Sequence, residues 1–417
     1  MSVSRCLLTA ALFLVACAGP PAEQPALQAE PAVMDTALGH KVLRSFLLLA
    51  DLAARALEPE PPDHEASRRD PGMRSDYHMF FPDAYAIRAL AVAYDLTGRD
   101  RYLHACRTWS DRMLRHQEKM VPSGAYYMNY DRQPGATEGE WFVADSGSIA
   151  MGVLATALRC PDPADRDRYV ASAKAYADLV MENYVRLSGG VTDGIWDKSD
   201  KEWWCSTALF AAAAFELYNQ TGTDAYRETA LKAIDWLLDF EYGDTILYKF
   251  EDGAPTTIFY ILEAYSASLP HLAPGSERQR RVFRAFSQTV EWIADSQTRE
   301  GTWDYNPDNW GVKLGGLPCH TLIYLNRVPD APARERLVIS RAGKVVKFES
   351  YARDSARRAL DYFASLDRGY DTLIQRNTFT LMSFAEALCP GELYQKTSAA
   401  FPYKRYSEDE LSSLLAR

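Results

Sequence analysis

Between residues 138 and 158 the chain passes from a polar, aromatic loop into a segment with almost no polar face. Glu138, Glu140 and Trp141 lead to Asp145, and 149–158 is apolar nearly all round. A helix with that pattern is buried on every side in a globular protein. Asp145, with Ser146 behind it, is a candidate N-cap, because a short acidic side chain accepts the orphan amides of a first turn. The same pairing of patterns recurs. Segments 84–94, 208–218 and 258–265 are also apolar all round, and each lies next to an amphipathic partner. Between residues 224 and 240, for example, Ala230, Ile234, Leu237 and Leu238 fall at three- and four-residue spacing, while Glu228, Lys232, Asp235 and Asp239 face elsewhere.

The amphipathic partners carry a repeat. Asp-x-Tyr is followed by an Asp nine residues after the Tyr in Asp100/Tyr102/Asp111, Asp167/Tyr169/Asp178 and Asp224/Tyr226/Asp235, with a weaker copy at Val282/Glu291. The anchors are separated by the length of two helices and two connections, so the repeating unit is a helical hairpin. Its amphipathic helix belongs to an outer layer and its apolar helix to an inner one. Outer helices are predicted near 41–57, 99–117, 165–184, 224–240, 277–297 and 352–366. Inner helices are predicted near 83–97, 145–158, 204–219, 255–268, 313–326 and 376–389, and six such pairs close a ring. The β-branched stretch 335–348, with Ala342-Gly343 at its centre, predicts a small β-hairpin inserted before the last pair. Residues 38–417 thus read as one domain.

Connections decide where chemistry sits. Inner-to-outer turns are short, as at Leu96-Thr97-Gly98, whereas outer-to-inner loops are long and rich in Trp, Tyr, Asp and Glu. In a ring all the long loops leave one end, beside the N-termini of the inner helices, and long loops of this kind are usually functional. The rim so assembled contains His78, Asp83, Glu140, Trp141, Asp145, Asp193, Trp203, Trp204, Trp310, His320 and Asn377. Acids interleaved with indoles suit sugars: aromatic faces cover the C–H faces of the rings, and carboxylates and amides bind hydroxyls. Glycosidic chemistry uses two carboxyl groups held at a defined separation. The candidate pair is Asp83 and Asp145, each at the start of an inner helix.

The remaining features add bounds. Arg5, the apolar run 7–15 and Leu14-Val15-Ala16-Cys17 resemble a bacterial lipoprotein signal, which predicts export, lipidation of Cys17 and anchoring to a membrane by acyl chains alone. An ordinary cleaved signal is the alternative. Residues 18–37 are Pro- and Ala-rich and read as a tether. Formal charge is −10, and the longest basic run, at 278–281, follows Ser276-Glu277 as a capped helix start, so no nucleic-acid partner is indicated. Cys106, Cys160, Cys205, Cys319 and Cys389 show no disulfide spacing and read as small buried hydrophobes. No cofactor or metal is indicated, since 304–311 has alternate oxygen ligands but lacks the glycine and closing glutamate of a calcium loop.

Six hairpins with an acidic, aromatic rim resemble the six-hairpin glycosidase superfamily and its all-α, (α/α)6 toroid. Within it, FPDAYAIRALAVAYDLTGRDRYLHACRTWSDRML and VADSGSIAMGVLATAL resemble the unsaturated glucuronyl and rhamnogalacturonyl hydrolases. That resemblance implies hydration of an unsaturated uronide, with Asp83 and Asp145 as general acid/base and assisting carboxylate. The chain departs from the pattern at Pro82, where the family usually has His, and at WWCSTALF, where a Trp-x-Arg-Gly-Gln-type stretch is missing. Two other readings stay open: a lyase or epimerase on the same toroid, using His320, Tyr248 or Arg376, and a non-catalytic glycan-binding lipoprotein. Trp204-Cys205 and Cys319-His320 also bear a superficial likeness to the zinc ligands of lanthionine-synthetase-like rings.

Overall fold

The computed structural model describes residues 34–58, 80–128, 141–193, 200–239, 254–303, 311–329, 331–366, 374–394 and 396–415. Cys17, most of the 18–37 tether, His78, Glu140, Trp310, Tyr248 and the 304–310 stretch lie outside the described residues, as do the side chains of Arg376 and Asn377.

In chain order the helices are α1 (Thr36–Leu57), α2 (Phe80–Thr97), α3 (Asp100–Gln117), α4 (Val143–Arg159), α5 (Pro163–Asn183), α6 (Trp204–Thr221), α7 (Asp224–Asp239), α8 (Ala254–Ser268), α9 (Glu277–Ser296), α10 (Leu317–Arg327), α11 (Ala331–Glu335), α12 (Phe348–Ala364), α13 (Ile374–Leu388) and α14 (Glu408–Leu415). Six of them, α2, α4, α6, α8, α10 and α13, contact one another in succession, and α13 returns to α2 to close an inner ring. Around them stand α1, α3, α5, α7, α9 and α12. The two-layer barrel is the fold the hydrophobic pattern predicts. In α2 every residue but Tyr94 is buried. In α5 only Tyr169, Ser172, Ala173, Tyr176, Ala177 and Val180 are buried, a single stripe at helical spacing.

The Asp-x-Tyr repeat becomes the seam between hairpins. Near the start of each outer helix a side chain reaches an acid late in the preceding one. Tyr102 donates to Asp51 (2.5 Å), Tyr169 to Asp111 (2.9 Å), Tyr226 to Asp178 (2.7 Å) and Tyr351 to Asp295 (2.8 Å). At the fifth hairpin Arg278 takes the tyrosine's place and grips Asp235 with two bonds of 2.7 and 2.6 Å. Lys41 donates to Asp361 (2.6 Å) and joins the last outer helix to the first. Each tyrosyl ring meanwhile packs in the interior: Tyr102, Tyr169, Tyr226 and Tyr351 are all buried.

A second repeat fixes the loops. Gln117 at the end of α3 donates to the carbonyls of Gly124 (2.8 Å) and Ser172 (3.1 Å), and Gln297 after α9 does the same to Gly301 (2.8 Å) and Ser355 (3.0 Å). Both glycines have positive φ, and a Cβ on either would lie 2.5 Å from a carbonyl oxygen of the next outer helix, Ala175 or Arg358. Only glycine satisfies both demands. The predicted hairpin is present as β1 (Leu337–Ile339) paired antiparallel with β2 (Val345–Lys347). Ser276 caps α9 by accepting from the Gln279 amide (3.1 Å), as expected. One expectation fails: the N-cap of α4 is Phe142, in extended conformation, and Asp145 lies inside the first turn. Burial of Trp141 and Phe142 starts the helix two residues early and frees Asp145 from capping.

The opposite end is closed by the segment after α13. There Arg159 pairs with Asp95 (2.7 Å) and approaches Glu392 (3.6 Å), while Lys396 pairs with Glu392 and approaches Asp95 (3.7 Å), all four being buried. Glu386, fully buried beside them, accepts the Gly391 amide (3.1 Å) and faces Arg327 and Glu392. All five described cysteines are free and buried. Among the described residues no helix is long and apolar enough to cross a membrane.

Two outcomes follow. Removing one seam bond, as in Tyr226→Phe, is expected to cost about 1 kcal/mol in denaturant unfolding, and a cycle with Asp178→Ala should give a coupling of similar size. Burial pushes the Glu386 carboxyl from 4.5 up to about 7. The folded state then holds a proton that the unfolded chain releases, so its contribution is full below about pH 4.5 and is lost as pH rises toward 7. Thermal melts across that range should show a shallower decline in Glu386→Gln than in the parent protein.

Candidate active site

Because the inner helices share one direction, their first turns meet at one end of the barrel. Asp83 sits in the first turn of α2 and Asp145 in the first turn of the neighbouring α4, and both are fully buried. The connections leading into these helices, 59–79 and 129–140, lie outside the described residues.

Aromatic groups flank the pair. Trp141 is 5% exposed and meets Tyr184 edge-on, with ring centroids 5.2 Å apart. From the next inner helix Trp203 stacks on Trp204 (6.3 Å) and Trp204 on Tyr260 (6.4 Å), forming a staircase from half-buried indoles to a buried phenol. Burial, and then the nearby Asp145, Cys205 and Glu263, hold the Tyr260 hydroxyl protonated well past its ordinary range. It is therefore a permanent donor next to Asp145. Tyr260 is absent from the residues singled out by sequence. Its signal is the position it shares with the others, near the start of an inner helix, but inside TTIFYIL it looks like core.

Asp193 is a further acid at this end. It is 4% exposed, holds φ at +65°, and its carbonyl accepts the Ser206 hydroxyl (2.9 Å). A non-glycine residue in left-handed conformation is costly and marks a constrained spot. Burial, and then the nearby Tyr126, Asp193 and Asp145, raise the Tyr176 hydroxyl far above its usual range.

Deeper in the barrel lies a polar floor. Glu263 of α8 accepts from Tyr85 (2.6 Å), Arg88 (2.7 Å) and Tyr394 (2.6 Å). Tyr85 also shares a bond of 3.1 Å with Ser148, and the Arg88 guanidinium lies over Tyr394, 4.4 Å from its centroid. His320 belongs to this floor and not to the rim: it is fully buried, with Nδ1 3.0 Å from the Ser266 hydroxyl and its ring edge-on to Phe259 at 4.9 Å. Burial, then the Arg88 charge, lowers its pKa to about 3, so it is a neutral and weak base. That removes it as an efficient proton acceptor near neutral pH. Among the described residues no three His, Cys, Asp or Glu side chains gather as metal ligands.

Carboxylates in neighbouring first turns, indoles at the rim and a protonated phenol beside one acid suit acid/base chemistry on a carbohydrate. Fold and site together define a carbohydrate-active glycoside hydrolase of the six-hairpin glycosidase-like superfamily, built on the (α/α)6 toroid. The sequence model for glycosyl hydrolase family 76 matches residues 62–258, the stretch that carries Asp83, Asp145, Asp193, Trp203 and Trp204. Among solved structures, the GH76A α-1,6-mannanase from Salegentibacter sp. HEL1_6 is 14% identical, with a TM-score of 0.51 over 78% of this chain and 99% of that one. A possible member of the GH105 family from Salmonella enterica serovar Paratyphi A is 12% identical, with a TM-score of 0.54 over 88% of this chain and 98% of the other. No curated protein matches the sequence.

Loss of the floor carboxylate leaves Arg88 buried without its ion pair. Glu263→Ala is therefore expected to destabilise the protein by about 3–5 kcal/mol in chemical unfolding, well above the cost of losing one seam bond.

Proposed function

We propose that the protein hydrolyses glycosidic bonds in a neutral oligosaccharide of the α-1,6-mannoside class, with Asp145 and Asp83 as the working carboxyl pair. The observation that carries this reading is the placement of two buried acids in the first turns of adjacent inner helices, with indoles and Tyr260 around them. The substrate class draws on the family 76 match and on the mannanase that shares the fold. Charge supports it. Asp83, Asp145 and Asp193 make this end acidic, and the one described inner-ring cation near them, Arg88, is engaged by Glu263. A neutral sugar enters such a site without the repulsion that a uronate carboxylate meets.

In this reading one carboxyl donates a proton to the departing glycosidic oxygen, and the other either attacks the anomeric carbon or activates water. The distance between them decides between retention and inversion. Tyr260 donates a hydrogen bond to the sugar or to Asp145, and the Trp203–Trp204 stack holds an adjoining unit.

The second reading is the unsaturated uronide hydrolase, favoured by the two motifs around Asp83 and Asp145. Export and lipidation of Cys17 complete the proposal, placing the enzyme on a bacterial membrane where it meets extracellular or periplasmic glycans. Labelled palmitate incorporation that disappears in Cys17→Ala tests the anchor.

The test of the chemistry is direct. Asp145→Asn and Asp83→Asn should each retain the parental melting temperature within a few degrees, yet lower turnover of α-1,6-mannotriose by about 10²–10⁴-fold. Loss of absorbance near 235 nm with an unsaturated uronide, and no release of mannose, selects the second reading. Binding that survives both substitutions, with no turnover of either substrate by the parent protein, leaves only the glycan-binding lipoprotein.

A further inference from the structure

A cavity of about 530 Å³ lies on the outer layer of the ring, and none of the residues lining it belongs to an inner helix. Its walls are the turn after α9, the tip of the β-hairpin and the first turns of α12. Three guanidiniums line it: Arg299 from the turn, Arg341 from the hairpin tip and Arg358 from α12.

Two of these cations are anchored by backbone carbonyls, and one of the two, Arg358, is also ion-paired with Asp354, which lines the cavity. Arg341 donates to the Gln297 carbonyl, and Arg358 donates to the Thr298 carbonyl (3.1 Å). Asp354 takes a further bond from Arg358 (3.0 Å), but its other oxygen serves Arg357 (3.2 Å). The other nearby acid, Glu300, is solvent-exposed on the same turn and lies near Arg299 and Arg341, so three guanidiniums face two carboxylates. The result is a locally cationic hollow in a chain whose formal charge is −10. Hydroxyls of Ser340 and Ser350 complete the wall.

Size and chemistry select the occupant. Ligand cavities typically run from about 300 to 1,000 Å³, so this one is larger than a bare oxyanion requires and suits one or two sugar units. Guanidinium forks prefer carboxylate or phosphate oxygens, and serine hydroxyls suit sugar hydroxyls. The hairpin that forms one wall is an insertion between the fifth and sixth hairpins of the ring, so the hollow is an addition to the barrel and no part of its closure.

We infer that this cavity is a second saccharide site, one that takes a sugar bearing a carboxylate or a phosphate and is independent of the acid pair inside the barrel. It would hold an acidic glycan against the outer wall while the barrel acts on the neutral one.

Titration calorimetry of the full chain with glucuronate, glucose 6-phosphate, glucose and inorganic phosphate tests it. One or both charged sugars should bind, more tightly than inorganic phosphate, and glucose should not; which of the two binds tells carboxylate from phosphate. Arg299 and Arg341 are exposed at the surface, so Arg299→Ala and Arg341→Ala should fold with unchanged melting temperature. Each should weaken the charged-sugar affinity roughly tenfold or more, the usual effect of losing a charged hydrogen bond. Turnover of α-1,6-mannotriose should be unaffected by either. The proposal is overturned by equal binding of glucose, by inorganic phosphate binding as well as the sugars, by no binding of any probe, or by affinities that both substitutions leave unchanged.

Discussion

The bond from a tyrosine early in one outer helix to an acid late in the one before it organises this barrel. A closed ring of hairpins has a difficulty that an open stack lacks: small errors in tilt accumulate around the circle and must vanish at the join. Fixing one atom pair per interface sets both the stagger and the tilt. The tyrosyl ring is buried and only its hydroxyl reaches the seam, so each latch couples apolar packing to a directional bond. The join itself uses a different pair, Lys41 with Asp361.

Once the outer ring fixes the stagger, the inner helices have little freedom. Their flanks are apolar, so they slide against one another at little cost, and what holds them is the polar floor. Glu263, Arg88, Tyr85 and Tyr394 join α2, α8 and the segment after α13 through three bonds to one carboxylate. Buried ionic groups of this kind are poor sources of stability compared with apolar packing, but they specify which arrangement of helices is allowed. The floor therefore sets the relative height of the inner helices, and with it the position of Asp83, two residues from Tyr85 on α2. Tyr85 also touches Ser148 of α4, which ties in the helix that bears Asp145.

Much of this architecture could be read from the chain because it repeats. Period and burial place all twelve ring helices, with ends displaced by at most about five residues, and the seam residues announce themselves as Asp-x-Tyr copies. At the tenth helix the chain enters through a short 3₁₀ stretch, Gly311–Gly316, which apolar patterning does not distinguish from α-helix. Asp145 looked like a cap because capping chemistry is local, whereas the real start of α4 depends on a pocket that buries Trp141 and Phe142. His320 looked like a rim residue because sequence gives depth along a helix only within a turn. Tyr260 escaped because it sits in an apolar run and resembles core, whereas Asp193 is legible as a rim acid but not as one held buried in a left-handed backbone conformation.

The distribution of those surprises follows a rule of quasi-symmetric folds. Structural residues recur from hairpin to hairpin because every interface poses the same problem, as Gln117 with Gly124 and Gln297 with Gly301 do. Near the start of the inner helices that equivalence breaks: α2 has an aspartate there, α4 another, α6 an indole and α8 a phenol. The packing common to every interface does not by itself explain an acid, an indole and a phenol in comparable places. The proposed sugar substrate would, since its two faces, its hydroxyls and its scissile oxygen present different chemistry in different directions. The repeat supplies a rigid annulus, and departure from the repeat supplies the site.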